Sequence, residues 1–138
     1  MKQLVGIVLI HQPVDIVWEK WTNPNDIRLW NIPFENWRCH TIINEVNPFG
    51  IFEFRKETTD GNTGYEFKGR YREVIKYELI EYILKDGRKG AIEFQLIDQN
   101  TILRERFEPE LQTPLNVQET FCQNVLERFK KYAEGFQS

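Results

Sequence analysis

Glu105 is the residue of this chain best placed to do chemistry in apolar surroundings. It stands between Leu103 and Phe107 at a spacing of two, within the strand-like run Thr101 to Glu108. Successive side chains of a strand alternate between faces, so the carboxyl shares a face with two apolar groups. A carboxylate so surrounded holds its proton more tightly unless it is paired. It is then a donor or acceptor for a polar guest, or a general acid. The plainer reading is a salt bridge to an arginine, or a solvated position at a pocket mouth. Glu73 has the same parity in its own run, with the same two readings. Tyr65 and Tyr71 each offer an apolar ring with one directional hydroxyl, which suits orienting a ligand and equally suits packing. The other reactive types are scattered. His11 precedes the first helix and reads as structural or exposed. Cys39 and His40 are adjacent in a strand-like run, so their side chains diverge and do not form a nucleophile pair. Two histidines and two cysteines do not supply the three or four converging ligands of a metal site. Phosphate loops, His-Glu-x-x-His, nucleophile elbows and Cys-x-x-Cys are all missing from the sequence. No catalytic residue, metal or cofactor is assigned.

The elements that must hold these residues follow from pattern. Leu4 to Ile10 is a short β-rich run. Pro13 opens a helix in which Val14, Val17, Trp18 and Trp21 recur at helical spacing. Asn23-Pro24-Asn25-Asp26 reads as a second helix start, with Asn23 capping, Pro24 in the first turn and Asp26 returning a hydrogen bond. Ile27 and Trp30 share one face of that helix. From Trp37 to Pro109 the period becomes two. Strands are expected over Arg38 to Val46, Ile51 to Thr58, Gly64 to Ile75, Tyr77 to Leu84, Ala91 to Asp98 and Thr101 to Glu108. Asp60-Gly61 and Asp86-Gly87 are hairpin signals. In the fourth strand Tyr65, Phe67, Gly69 and Tyr71 oppose Glu66, Lys68, Arg70 and Arg72, so one face is buried and the other wet. Gly69 would ease a bend there. Ile92, Phe94 and Leu96 face inward in the next-to-last strand. The last segment is helical, starting at Thr113-Pro114 or at Asn116 with Glu119; both remain open. Leu115, Cys122, Val125, Leu126, Phe129 and Tyr132 form its apolar stripe.

Composition narrows the class. The chain of 138 residues suits one domain, 1–138, with one core. A formal charge of -3 gives no long-range attraction to nucleic acid. Lys68, Arg70 and Arg72 share their face with Glu66, as a solvated sheet surface does. No apolar run reaches the ~20 residues of a membrane span, and Met1 to Ile10 is short for a signal peptide. The expectations are therefore no nucleic acid, no membrane insertion, a cytoplasmic location and free thiols. Ten Phe and four Trp favour a spacious interior, since large rings need volume around them.

The order β, α, α, six strands and a long α resembles the helix-grip fold of the START and pollen-allergen superfamily. It is more closely similar to the family named for the activator of the heat-shock protein 90 ATPase. The motifs that carry the resemblance run through the chain. They are Val17-Trp18-Glu19-Lys20-Trp21-Thr22-Asn23-Pro24 with Ile27 and Trp30, Phe49-Gly50-Ile51-Phe52, and Asp60-Gly61. Gly69-Arg70-Tyr71-Arg72-Glu73-Val74-Ile75, Glu78-Leu79-Ile80-Glu81-Tyr82 and Val125-Leu126-Glu127-Arg128-Phe129-Lys130-Lys131-Tyr132 complete them. The chain departs from that pattern by keeping only Gly50 of a usual glycine pair, and by carrying Phe121-Cys122 where relatives tend to have Gly-Trp. The resemblance implies an α+β fold in which a curved antiparallel sheet wraps a long C-terminal helix, with two short helices after the first strand. It also implies a superfamily of lipid and hormone binders, aromatases and cyclases.

The expected cavity lies between sheet and helix. Trp30, Phe34 and Trp37 would form its mouth or wall, and Trp21 a packing anchor. Phe52, Phe54, Tyr65, Phe67, Tyr71, Phe94, Leu103 and Glu105 would line the sheet side. Cys122 and Val125 would line the helix side, with Phe129 and Tyr132 in solid core. The function expected first is noncatalytic carriage or sensing of a small hydrophobic or aromatic molecule. The alternatives are a chaperone-associated protein-binding module with a protein partner, and a cyclase, dehydratase or hydrolase using the same pocket.

Overall fold

The computed structural model describes residues 2–135. The elements are β1 (Leu4–Ile10), α1 (Val14–Thr22), α2 (Pro24–Trp30), β2 (Trp37–Asn44), β3 (Ile51–Thr58), β4 (Gly64–Ile75), β5 (Leu79–Leu84), β6 (Lys89–Ile97), β7 (Asn100–Phe107) and α3 (Leu115–Ala133). The seven strands form one antiparallel sheet in the order β1-β7-β6-β5-β4-β3-β2. β1 and β2 are thus opposite edges. The two short helices carry the chain from one edge to the other, and β2 to β7 return as a meander.

Local chemistry sets the helix ends. The Asn23 side chain accepts from the Asn25 N–H at 2.9 Å, and Pro24 takes the first turn, where its missing N–H costs nothing. Asp26 does not complete a capping box. Its carboxylate accepts from the Tyr132 hydroxyl instead, which pulls Tyr132 out of the expected solid core to a partly exposed place beneath Lys20. Of the two starts open for α3, the helix takes the one at Pro114, which has no side-chain cap. Gln118 ties the preceding loop down by bonding the Glu110 N–H and the Glu110 and Thr113 carbonyls.

The sheet curls because its long strands are interrupted. Register shifts lie in β2 between His40 and Ile43 and in β4 between Tyr71 and Val74. A bulge of this kind bends and twists its strand. A Cβ on Gly69 would lie 2.8 Å from Leu84 Cα, so only glycine allows β5 to approach this closely. The bulge also reverses parity: Val74 packs inward and Glu73, expected on the inner face, is exposed. β5 begins at Leu79, later than its pattern suggested, because Tyr77 adopts φ 72° in the preceding turn. Ile92 and Phe94 face inward as expected, but Leu96, beside the hairpin tip, is 53% exposed.

α3 lies along β1. Its polar side chains satisfy that edge: Gln123 accepts from the Ile7 N–H at 3.0 Å and donates to the Ile7 carbonyl at 2.9 Å. Lys130 donates to the Leu9 carbonyl and Glu134 accepts from the His11 N–H, both at 2.7 Å. An edge strand so occupied cannot recruit another chain through those groups. Beneath, Leu126 and Phe129 are fully buried. Phe129 stands edge-on to Trp21 and Trp30 at 5.0 and 4.7 Å, and those two indoles stack at 4.5 Å. This aromatic knot fills one half of the space under α3. The other half is hollow.

Candidate functional site

The hollow is a cavity of about 690 Å³ between the concave sheet face, α3 and the α2 end of the fold. Its inner wall is aromatic. Phe52 and Phe54 on β3 project inward with Phe67 and Tyr71 from β4, all on the alternating inner faces of adjacent strands. Phe52 packs on Tyr71 at 4.8 Å and Phe54 stacks over Phe67 at 6.3 Å. Trp30 closes the deep end, with Trp21 behind it and also bordering the space, beyond the packing role expected for it. Cys122 and Val125 face the sheet from α3. Exposed Thr63, Tyr65, Asp86 and Thr113 mark the opening, with Trp37 half-buried beside it.

Three expected lining residues lie elsewhere. Phe94 is taken up by core packing against Trp18 at 5.0 Å, and Leu103 is fully buried in the core cluster that also holds Leu126. Both point inward, but toward the half of the space that the aromatic knot and α1 fill. Phe34 is 39% exposed and stands edge-on to Phe121 at 5.2 Å, so it braces the rim from outside. Phe121 itself lines the cavity. The ring that relatives tend to place one position later thus still reaches this wall.

Glu105 enters from β7, and its partner is a tyrosine, not an arginine. The Tyr82 hydroxyl donates to Oε2 at 2.7 Å, and the Cys122 thiol lies 3.9 Å from Oε1. Tyr82 reaches it across Gly90, directly opposite on β6. A Cβ at Gly90 would fall 2.7 Å from Tyr82 Cε2 and nearer still to Cζ and the hydroxyl. Burial pushes the Glu105 carboxyl up, against the Tyr82 hydrogen bond and the attraction of Lys56. Burial, reinforced by Glu105, also pushes the Cys122 thiol and the Tyr82 hydroxyl up. Tyr71 is raised by burial, and its hydroxyl donates to Asn44, whose amide donates to the Thr22 carbonyl at 2.8 Å. Thiol and phenols are therefore held protonated, which opposes nucleophilic roles for them.

Lys56 is the residue that sequence reasoning missed. It is only 6% exposed and lines the cavity. Its Nζ sits 5.9 Å from the Tyr65 ring centroid and 5.6 Å from that of Phe67. The signal was present, since Phe52, Phe54 and Lys56 share strand parity, as do Ile80 and Tyr82. Hydrophobic patterning assigns a lysine to the wet side, whereas strand parity places this one inside. The histidines stay outside: His40 joins Arg38 and Arg55 around Glu57 and with them draws its carboxyl down to about 2. Among the described residues no group of His, Cys, Asp and Glu is arranged to hold a metal ion, and no helix is long and apolar enough to cross a membrane.

Comparison with known proteins agrees with this geometry. An AHSA1-like protein from Aeromonas hydrophila, solved in solution, superposes with a TM-score of 0.88 at 25% identity, covering 96% of this chain and 92% of that one. A Cytophaga hutchinsonii protein gives 0.83 at 30% identity over 96% and 92%. A Chromobacterium violaceum protein gives 0.86 at 17% identity over 97% and 99%, a likeness of fold. No curated protein matches significantly. The sequence pattern described as Activator of Hsp90 ATPase homolog 1-like protein matches residues 11–134, and the chain belongs to that family, within the helix-grip superfamily.

Proposed function

We propose that this protein binds a small, largely apolar or aromatic molecule in the cavity, as a noncatalytic carrier or sensor. The observation that carries this reading is an aromatic-walled space of about 690 Å³ that remains open beside an otherwise close-packed core. Pockets for small ligands generally measure ~300–1,000 Å³. A guest that buries roughly 300 Å² of apolar surface there gains about 7 kcal/mol before ordering costs, at ~25 cal/mol per Å². No reacting group is needed for that gain, and the thiol and phenols nearest the space are held protonated.

Trp21, Trp30 and Trp37 border the space and report its occupancy. Titration with a panel of aromatic and aliphatic compounds should give saturable quenching of tryptophan emission by some members. Val125→Trp, which fills the cavity from α3, should abolish it while the circular dichroism stays native. Absence of saturable quenching across the panel, or equal quenching in the folded Val125→Trp variant, sinks the reading. A second reading, a protein-binding module, has one observation in its favour besides the family. Val5, Ile7 and Leu9 form a strip of β1 that is 37, 50 and 44% exposed.

A further inference from the structure

Lys56 is a lysine that the fold buries against the cavity wall with no ion pair among the described residues, Glu105 attracting it only from beyond ion-pair distance. Two other lysines of the sheet and helix are paired, Lys68 with Glu66 and Lys130 with Glu134, each at 2.8 Å. Arg88 at the opening is paired with Asp86, also at 2.8 Å. For Lys56, no carboxylate of the described residues comes within the 4.0 Å of an ion pair. What surrounds the ammonium is the pair of rings of Tyr65 and Phe67. Cation–π contacts of this kind recover ~0.5–2 kcal/mol, while burying an ammonium costs several. An ammonium also has three N–H donors to satisfy.

Among the described residues no side chain hydrogen-bonds this ammonium, which keeps a contact with solvent, since no fully buried side-chain nitrogen or oxygen is left without a partner. The Tyr82 hydroxyl is committed to Glu105 and the Tyr71 hydroxyl to Asn44. Glu105 shares the space with Lys56 but is bonded by Tyr82 and approached by the Cys122 thiol. The order along β3 adds a direction. Phe52 lies deepest, Phe54 follows, and Lys56 comes last, paired across the strand with Tyr65 at the opening. The cavity therefore has an apolar floor and a cationic point near its mouth.

We propose that the guest of this cavity is an apolar monocarboxylic acid, inserted body first, with its carboxylate on Lys56 and its hydrophobic part on Phe52, Phe54, Phe67 and Trp30. This rests on the small-molecule reading above. A single ammonium neutralises one negative charge. It lacks the planar fork of arginine that suits phosphate, and a second negative charge would be buried opposite Glu105 with no partner. A neutral guest with the same body would leave the ammonium as it is.

Two probes with one fluorescent body separate the claims. Pyrenebutyrate and pyrenebutanol are titrated into the full chain, and binding is read as energy transfer from tryptophan to pyrene. The acid should bind at least tenfold more tightly than the alcohol. Lys56→Met keeps the length and apolar stem, and should weaken the acid at least tenfold while leaving the alcohol within about twofold. Equal affinity of acid and alcohol for the wild-type protein overturns the proposal and leaves the small-molecule reading standing. A Lys56→Met variant that keeps the full preference for the acid also overturns it, by assigning the preference to Lys85 or Lys89 at the rim. Failure of both probes to bind the wild-type protein overturns the proposal together with the reading beneath it. The wild-type comparison needs no variant, so a Lys56→Met protein that folds poorly does not rescue the idea.

Discussion

Gly90→Ala should break the link between Tyr82 and Glu105, and the size of the effect can be worked from the backbone. An alanine Cβ at this position would lie 2.7 Å from Tyr82 Cε2, with Cζ and the hydroxyl oxygen closer. Ordinary carbon contacts begin at about 3.5 Å, so the ring must retreat by roughly 1 Å. The hydroxyl then moves from 2.7 Å to beyond hydrogen-bonding range of Glu105 Oε2. Overpacking costs about 1–3 kcal/mol, and leaving a buried polar group unsatisfied costs about 1–3 kcal/mol more. The expected loss is therefore roughly 2–6 kcal/mol. Urea denaturation of four proteins tests it: wild type, Gly90→Ala, Tyr82→Leu and the double variant. With the tyrosine ring gone, alanine has room, so Gly90→Ala should cost under about 0.5 kcal/mol in the Tyr82→Leu background. The resulting coupling of ~1.5 kcal/mol or more is well above the additivity error for independent sites. Additive losses, or a Gly90→Ala protein as stable as wild type, would refute the argument that glycine is there to make room for this ring.

Phe129→Ala should cost about 3–5 kcal/mol, because the ring is fully buried edge-on against Trp21 and Trp30; a denaturation midpoint within error of wild type contradicts that. Glu105 governs a pH effect of definite sign. Burial raises its folded pKa above the ordinary 4.5, so between those two values the folded protein binds more protons than the unfolded chain and stability falls as pH rises. Glu105→Gln keeps an acceptor for Tyr82 and removes the titration. Its urea midpoint should gain on that of the wild type as pH rises through that window, and parallel profiles for the two proteins would show that Glu105 carries no such penalty.

Much of the molecule was legible from local pattern. The alternation of Tyr65, Phe67 and Tyr71, the cap at Asn23-Pro24, and the stripe through Cys122, Val125 and Phe129 each follow from the geometry of one element, where side-chain direction is a function of position alone. The inward aim of Glu105 was legible for the same reason. Reading by period failed where the period itself changed. The bulge after Tyr71 turned Glu73 outward, and the positive φ of Tyr77 delayed β5. It also failed where residue type and parity disagree, as at Lys56.

Other features depend on residues far apart in the chain. Tyr82 meets Glu105 across 23 positions because Gly90 leaves a gap for its ring. Asp26 leaves its cap for Tyr132, 106 positions away. Phe94 and Leu103 face inward like Phe52 and Phe54, yet lie in solid core, because the aromatic knot and α1 cover only their side of the sheet. Parity tells which way a side chain points. Whether it meets a neighbour or empty space depends on how the summed volumes of every other inward group fill the concavity. The face of most residues was therefore written in the chain, whereas the hollow, and the lysine left in it without an ion pair, arose only when strands and helices closed over one another.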